Sequence, residues 1–427
     1  MKKILPDKNA ASFTKLAIAF IAAVLIFAIR LFVPDYTKIS AIILLILPAV
    51  LDFIYIPLYF RSLNYETDGR CITKNCGVSA YEVFQFLLLL VFQGKNLFRF
   101  LNSKYKDQAV SKNTYYRFLN ESSYNWKKFL TLLSAKVISA FDRLTRPERV
   151  KVLILDDSVI KRNRSKKVEL LARVYDHVEH KFRKGFTLLT LGWSDGYSFV
   201  PVGFNLLSSA SKNNHYEEMS DNIDCRSNGY KARKESILSK TEASLLLIKR
   251  ALEAGICADY VLMDTWFTTE PMIKAILGEG LEVIGMVKQL KQRYTYKGRH
   301  YTLSELQKFV RFNNVGNIFG SLCVTTKNGI PVKIVFVRNR NKKSECLYLL
   351  STDCSLSDTE IVRIYGNRWS IECFFKASKS CLKLGTEFQS RTYDAMVSHT
   401  AIVFTRYIIL EWIRRNENDQ KTYGELF

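Results

Sequence analysis

Residues 150–158 read "VKVLILDDS", and this stretch most narrows what the chain can fold into. Val152 to Leu155 is a short apolar run rich in β-formers, which predicts a buried strand. The run stops at two adjacent carboxylates, Asp156 and Asp157. Successive strand residues face opposite sides, so only one of the two can point into a given site. The pattern returns in "DYVLMDTWFTT", where the apolar strand Tyr260 to Met263 ends in Asp264. Between them, "RVYDHVEHKFRKGFTLLTLGWSDGYSFVPVGFNLLS" predicts two or three strands, with Asp195-Gly196 as a hairpin turn. A basic, looped stretch over 209–236 and a helix near 237–254 follow.

A third acid stands in "YGNRWSIECFFKASK", residues 365–379. At about 100° per residue on a helix, Tyr365, Arg368, Glu372 and Lys379 fall within roughly 60° of arc. Ile371, Phe375 and Leu382 fall on a neighbouring arc that faces a core. Taken alone, the stretch is an amphipathic helix with an i, i+4 ion pair worth a few tenths of a kcal/mol. Alternatively, Glu372 meets the strand-end acids.

Two strands ending in acids, a meander, a crossover helix and a late helix carrying an acid make the plan of a ribonuclease-H-like fold. The predicted class is therefore α/β (α+β), a ribonuclease-H-like catalytic core over 149–400 in which three carboxylates converge. Carboxylate oxygens are hard ligands that suit Mg²⁺ or Mn²⁺. Two such ions can serve phosphodiester chemistry. A lone strand-end Asp is more often a turn or cap residue; it is the conjunction of three that favours metal. The stretch between Asp264 and Glu372 is too long for a direct crossing. Its "GSLCVTTKNGIPVKIVFVRNRNKKSECLYLLSTD" predicts a β-rich insertion at about 285–355. Residues 401–427 read as a C-terminal helix and tail.

Charge supports a polyanionic partner. The 427 residues carry 63 Lys and Arg against 40 Asp and Glu, a net charge of +23. Nucleic acid fits first and an anionic membrane second, against the plainer reading of a generally basic proteome. The nine Cys include no CxxC pair, so neither a zinc framework nor a disulfide scaffold is indicated and a reducing cytosol fits. His177 and His180 read as surface residues rather than ligands.

The front of the chain reads differently. Two apolar stretches, roughly 16–34 and 39–60, are interrupted only by Arg30, Asp35, Lys38 and Asp52. Either a two-helix membrane hairpin within 1–60, an atypical leader, or buried core helices fits. Residues 61–148 predict a helical region suited to DNA. In "SKNTYYRFLN", Ser111 is an N-cap candidate ahead of Lys112, Asn113, Tyr115, Tyr116 and Arg117. Those groups suit phosphate and base contacts, or the tyrosines pack inward.

Tyr365-x2-Arg368-x3-Glu372-x6-Lys379 resembles the Y-x2-R-x3-E-x6-K signature of the insertion-sequence-four family of DDE transposases. "LDDS" resembles that family's first acid motif and "MDTWF" its second, with Trp266 where many relatives carry a small residue. The resemblance covers roughly 80–400 and leaves out the apolar front. It implies that Asp156, Asp264 and Glu372 are catalytic and hold two Mg²⁺ or Mn²⁺ ions. Asp156 is preferred over Asp157 because the family pattern is an acid, any residue, then Ser or Thr, here Ser158. Tyr365, Arg368 and Lys379 would grip DNA phosphates. The implied activity is cutting of insertion-sequence ends and strand transfer, by a homodimer on paired terminal inverted repeats with target DNA. Its place would be the cytoplasm, at the nucleoid, with membrane association through 12–60 as a variant. Glu387 is a rival third acid, and Gln389, Ser390 and Arg391 are further DNA-contact candidates. A metal-dependent nuclease of the same fold, and an inactive, membrane-anchored DNA-binding relic, are the competing functions.

Overall fold

The structure, a computed structural model, describes residues 71–417 except 73–76, 105, 147, 291, 311–315, 340–341, 343–344 and 388–389. The described residues belong to one contact unit, Tyr65–Phe427. The apolar segment 12–60 and Gln389 lie outside the described residues.

The apolar run at 152–155 is the centre of the sheet. Strand β1 (Val152–Lys161) has Val152, Leu153, Ile154 and Leu155 fully buried. After β2 (Ala172–Asp176), strand β3 (Lys181–Ser194) pairs antiparallel with β1, from Val152↔Ser194 to Lys161↔Gly185. Strand β4 (Phe199–Leu207) returns along β3 through the turn at Asp195-Gly196, where Gly196 has φ +81°. That is the expected hairpin, and its left-handed residue is the glycine. On the other side of β1, strand β5 (Tyr260–Met263) runs parallel to it, from Val152↔Tyr260 to Leu155↔Met263. Strand β6 (Glu282–Val287) runs parallel to β5.

This core order, β4-β3-β1-β5-β6 with only β3 antiparallel to its neighbours, is the ribonuclease-H-like arrangement. A glycine permits one close approach in it. A Cβ on Gly285 of β6 would lie 2.3 Å from Thr268 Oγ1, in the loop after β5.

The β-rich insertion does not form a separate layer. Strands β7 (Tyr294–Tyr296), β8 (Arg299–Tyr301), β9 (Ile318–Thr325), β10 (Pro331–Arg338) and β11 (Cys346–Ser351) prolong the same sheet, because β11 pairs antiparallel with β6. The result is an 11-stranded mixed sheet.

Helices precede and cover the core. The N-terminal region contributes α1 (Ala80–Leu89), α2 (Leu97–Leu101), α3 (Lys112–Leu119) and α4 (Trp126–Asp142). Helix α4 packs on β4, and Tyr115 of α3 is buried, its ring 4.6 Å from that of Phe86. The inward reading of that tyrosine holds, so it offers nothing to DNA. The basic stretch 209–236, expected to be loop, contains α5 (Asn228–Ser236), capped by the Ser227 side chain. Its polar sequence hides it because its buried face is Gly229, Ala232, Ser236 and an ion-paired Arg233 rather than a stripe of large apolar residues. Helix α6 (Lys240–Glu253) starts at a Ser239–Glu242 capping box. Helix α7 (Glu270–Gly278) connects β5 to β6, and α8 (Leu303–Gln307) lies in the insertion.

The signature stretch is not one helix. Helix α9 (Asp358–Gly366) and α10 (Trp369–Ser380) meet at Asn367-Arg368, where the N–H groups of Asn367, Arg368, Ser370 and Ile371 each bond three residues back, including Arg368 N to Tyr365 O at 3.0 Å. The single stripe expected over 365–379 is therefore broken by a tight turn, and Tyr365 belongs to a different helix from Glu372. Ile371, Phe375 and Leu382 do face the core, joined by Phe374. The last helix, α11 (Tyr393–Glu417), runs straight through the boundary drawn at 400. Among the described residues, no helix is long and apolar enough to cross a membrane.

Candidate active site

The parallel pairing of β1 with β5 sets the first two acids side by side. Leu155 and Met263 are register partners, and Asp156 and Asp264 are the residues that follow them; Asp264 ends its strand as expected, whereas β1 continues past Asp156 to Lys161 because β3 goes on pairing with it. Both stand where neighbouring strands run toward their carboxyl ends, the place where open α/β sheets bind ligands.

The surroundings of the two carboxylates differ. Asp156 is mostly buried and accepts from the Asp157 N–H at 2.8 Å and from Arg368 Nη1 at 2.7 Å. Burial pushes its pKa up to about 7; Arg368 pulls downward against this, and the charge of Asp264 pushes further up. Asp264 folds over its own loop, its Oδ1 accepting from the N–H groups of Trp266 (2.9 Å) and Phe267 (3.2 Å). That turn fixes the carboxylate and leaves its second oxygen for other partners.

Glu372 reaches the pair through Arg368, whose Nη2 bonds its Oε1. One guanidinium thus spans an acid of β1 and an acid of α10. Tyr365 stands against the same group. Burial pushes its hydroxyl up to about 12, with Arg368 lowering it and Asp264 and Asp156 raising it further. Lys379 extends to Ser158 Oγ at 2.5 Å. Ser158 lies two residues beyond Asp156, on the same face of β1. Burial lowers the Lys379 pKa, as does Lys161, while Asp176 raises it.

All six residues singled out by the sequence therefore gather at this edge, around Arg368 and along β1. The rivals sit elsewhere. Asp157 points away and pairs with Lys240 Nζ at 2.9 Å. Glu387 is buried, gripped by Arg406 at 2.7 and 2.8 Å. His177 and His180 are exposed in the β2–β3 turn. Trp266 is half-exposed, 41% accessible, with its ring 4.5 Å below Lys240 Nζ. Its bulk lies at the rim of the site, not in the core. Lys240 was missed by the sequence reading, since a lysine in the first turn of a helix carries no sequence signal of its own.

The donors suit a hard divalent cation: carboxylate oxygens only, with the charge of Asp264 adding to the raised proton affinity of Asp156. Among the described residues, no three acidic, His or Cys side chains are arranged to hold one ion. Arg368 stands between Asp156 and Glu372 and supplies the positive charge there. The ligand types fit a metal; with Arg368 in this position, Glu372 is directed to the guanidinium.

Comparisons with known proteins agree with this geometry. Residues 87–297 match the family model described as DDE superfamily endonuclease, and residues 240–409 match the transposase DDE domain. Together they support a DDE transposase. Neither match specifies the insertion-sequence-four family. No curated protein matches the chain. Among solved structures, the Drosophila P element transposase strand transfer complex is similar over 88% of each chain, at 10% identity and a TM-score of 0.24. That TM-score is too low to carry an argument.

Proposed function

We propose that the chain is a DNA transposase of the insertion-sequence-four kind, which cuts the ends of its element and joins them to target DNA. The observation that carries the reading is the placing of Asp156, midway along β1, beside Asp264, just past the end of β5, with Glu372 linked to Asp156 by Arg368. Asp156, Asp264 and Glu372 would hold two Mg²⁺ or Mn²⁺ ions. Bound there, the ions supply activation of the attacking oxygen and stabilisation of the leaving one.

The chain's own residues do the rest. Arg368 offers a planar fork that can exchange a carboxylate for a phosphate, and Lys379 offers a point charge beside Ser158. Tyr365, neutral across the physiological range, can donate a hydrogen bond without adding charge. In the first step water attacks the phosphorus at the element end and a 3′ hydroxyl leaves. In the second, that hydroxyl attacks a target phosphodiester and displaces the target's own 3′ oxygen. The partners are the terminal inverted repeats and target DNA, bound by a homodimer on paired ends at the nucleoid. The helical region 61–148 assists DNA binding, and the domain 149–400 performs the chemistry.

The test is incubation of the full chain with the DNA flanking its gene and a second duplex as target. A joined strand-transfer product supports the transposase. Metal-dependent nicks without joining point to a nuclease of the same fold. Binding without nicks points to a DNA-binding relic.

A further inference from the structure

A second basic surface begins where the acid cluster ends. Strand β1 closes at Lys161, and the chain continues as "RNRSKKV" through residues 162–168. This loop forms one wall of a groove of about 1040 Å³. Tyr116 of α3, Asn120 just after it, and Thr386, Ser390, Arg391 and Thr392 ahead of α11 form the others. Six cations line it: Lys161, Arg162, Arg164, Lys166, Lys167 and Arg391.

Only one of the six is ion-paired among the described residues, Lys161 with Asp176 and Glu179. Elsewhere this protein pairs its cations closely, as with Arg183, Arg233, Arg250, Arg406 and Arg415. Arg162 is the most telling of the unpaired set. It is half-buried, its Nη2 faces Met396 Sδ at 3.0 Å, and its Nε–H has no acceptor among the described residues. A desolvated guanidinium with an unused donor and no carboxylate is unfavourable unless an anion joins it. Lys379 bonds Ser158, three residues before Lys161 on β1, so the groove begins on the strand that carries Asp156.

We infer that this groove is a track for the phosphate backbone of duplex DNA leading away from the acid cluster. The inference rests on the proposed DNA-cutting function and adds a location to it. From Asp156 to Lys161 the strand covers about 17 Å at ~3.3 Å per residue. At 3.4 Å per nucleotide along a strand, the groove contacts phosphates about five base pairs from the scissile bond. The unpaired cations of the loop and Arg391 hold them.

The experiment measures affinity of the full chain for duplex DNA from the gene flanks as a function of salt. Lys166→Ala/Lys167→Ala is compared with Lys166→Arg/Lys167→Arg and with Lys274→Ala/Lys308→Ala. The last removes the same charge from exposed lysines on α7 and just after α8, neither of which lines the groove. The groove variant is expected to lower the slope of log K against log salt by about 1.8, at ~0.9 per phosphate contact. The arginine variant keeps the wild-type slope. An unchanged slope in the groove variant, or an equal fall in the remote one, overturns the inference. Absence of DNA binding by the wild type would instead overturn the function on which it rests.

Discussion

The molecule contains two triads of the same composition, an arginine between two carboxylates, and they behave in opposite ways. Arg233 lies between Glu169 and Asp394, joining α5 to the loop before β2 and to the start of α11. It is 2% exposed and donates two bonds to each acid, from 2.6 to 2.9 Å. Glu169 also accepts from the N–H groups of Tyr393 and Ser220. Burial acts to raise the Glu169 pKa, but those bonds outweigh it and hold it below the ordinary value. Arg368 gives only one bond to each of its acids, a third carboxylate looks on, and Asp156 is pushed up to about 7. Where acids are saturated with donors the cluster is structure. Where they are undersupplied and crowded, the cluster has capacity left for a further cation and for substrate.

The sharpest way to break this contrast is to remove acids at the second triad. Asp156→Asn and Asp264→Asn are each expected to cut DNA cleavage by more than about 10³-fold, in the range of lost transition-state charge stabilisation. Binding to element ends, read by electrophoretic mobility shift, stays near wild type. Next comes Arg233→Met, which leaves two buried carboxylates without a partner. Chemical denaturation is expected to show a loss of about 3–5 kcal/mol. Arg368→Met, at a partly solvated site, stays within about 1 kcal/mol. Equal losses would erase the distinction between the triads.

The two clusters also carry opposite pH signs. Glu169 is depressed, so its contribution is present above its unfolded value and lost as pH falls through the folded one, below about pH 4. Asp156 is raised, so in metal-free buffer its contribution is present below about pH 4 and lost as pH rises through about 7. Melting temperature against pH is expected to flatten at the acid end in Glu169→Gln and between about pH 4 and 7 in Asp156→Asn. The smallest effect is expected from Lys379→Ala: the salt slope of DNA binding falls by ~0.9, one phosphate contact. An unchanged slope removes Lys379 from the DNA surface.

Much of this site was legible in the sequence because its signals are local. Val152–Leu155 and Tyr260–Met263 announce buried strands by composition, and the acids after them inherit their places from strand register. The hairpin at Asp195-Gly196 is similarly short-range. Elements held together by long-range pairing were not legible. Helix α5 has no apolar stripe to reveal it, since its inner face is organised by Arg233 reaching partners far along the chain. The turn between α9 and α10 carries no proline, and helical periodicity runs across it unbroken. The attachment of β11 to β6, which makes the insertion part of the main sheet, depends on a pairing that no local pattern encodes. In the sequence the groove after β1 is only a basic run; its other walls come from α3 and from Thr386 and Ser390 to Thr392, far along the chain.

The central claim is that Asp156, Asp264 and Glu372 act together on DNA with a divalent metal. The most direct measurement maps strand breaks to the nucleotide in DNA flanking the gene, using the full chain with and without Mg²⁺, beside Glu372→Gln. The account predicts breaks at the repeat ends only with Mg²⁺, lost in Glu372→Gln while end binding persists. Breaks of wild-type yield in Glu372→Gln, or a loss of binding as large as the loss of cleavage, would contradict it.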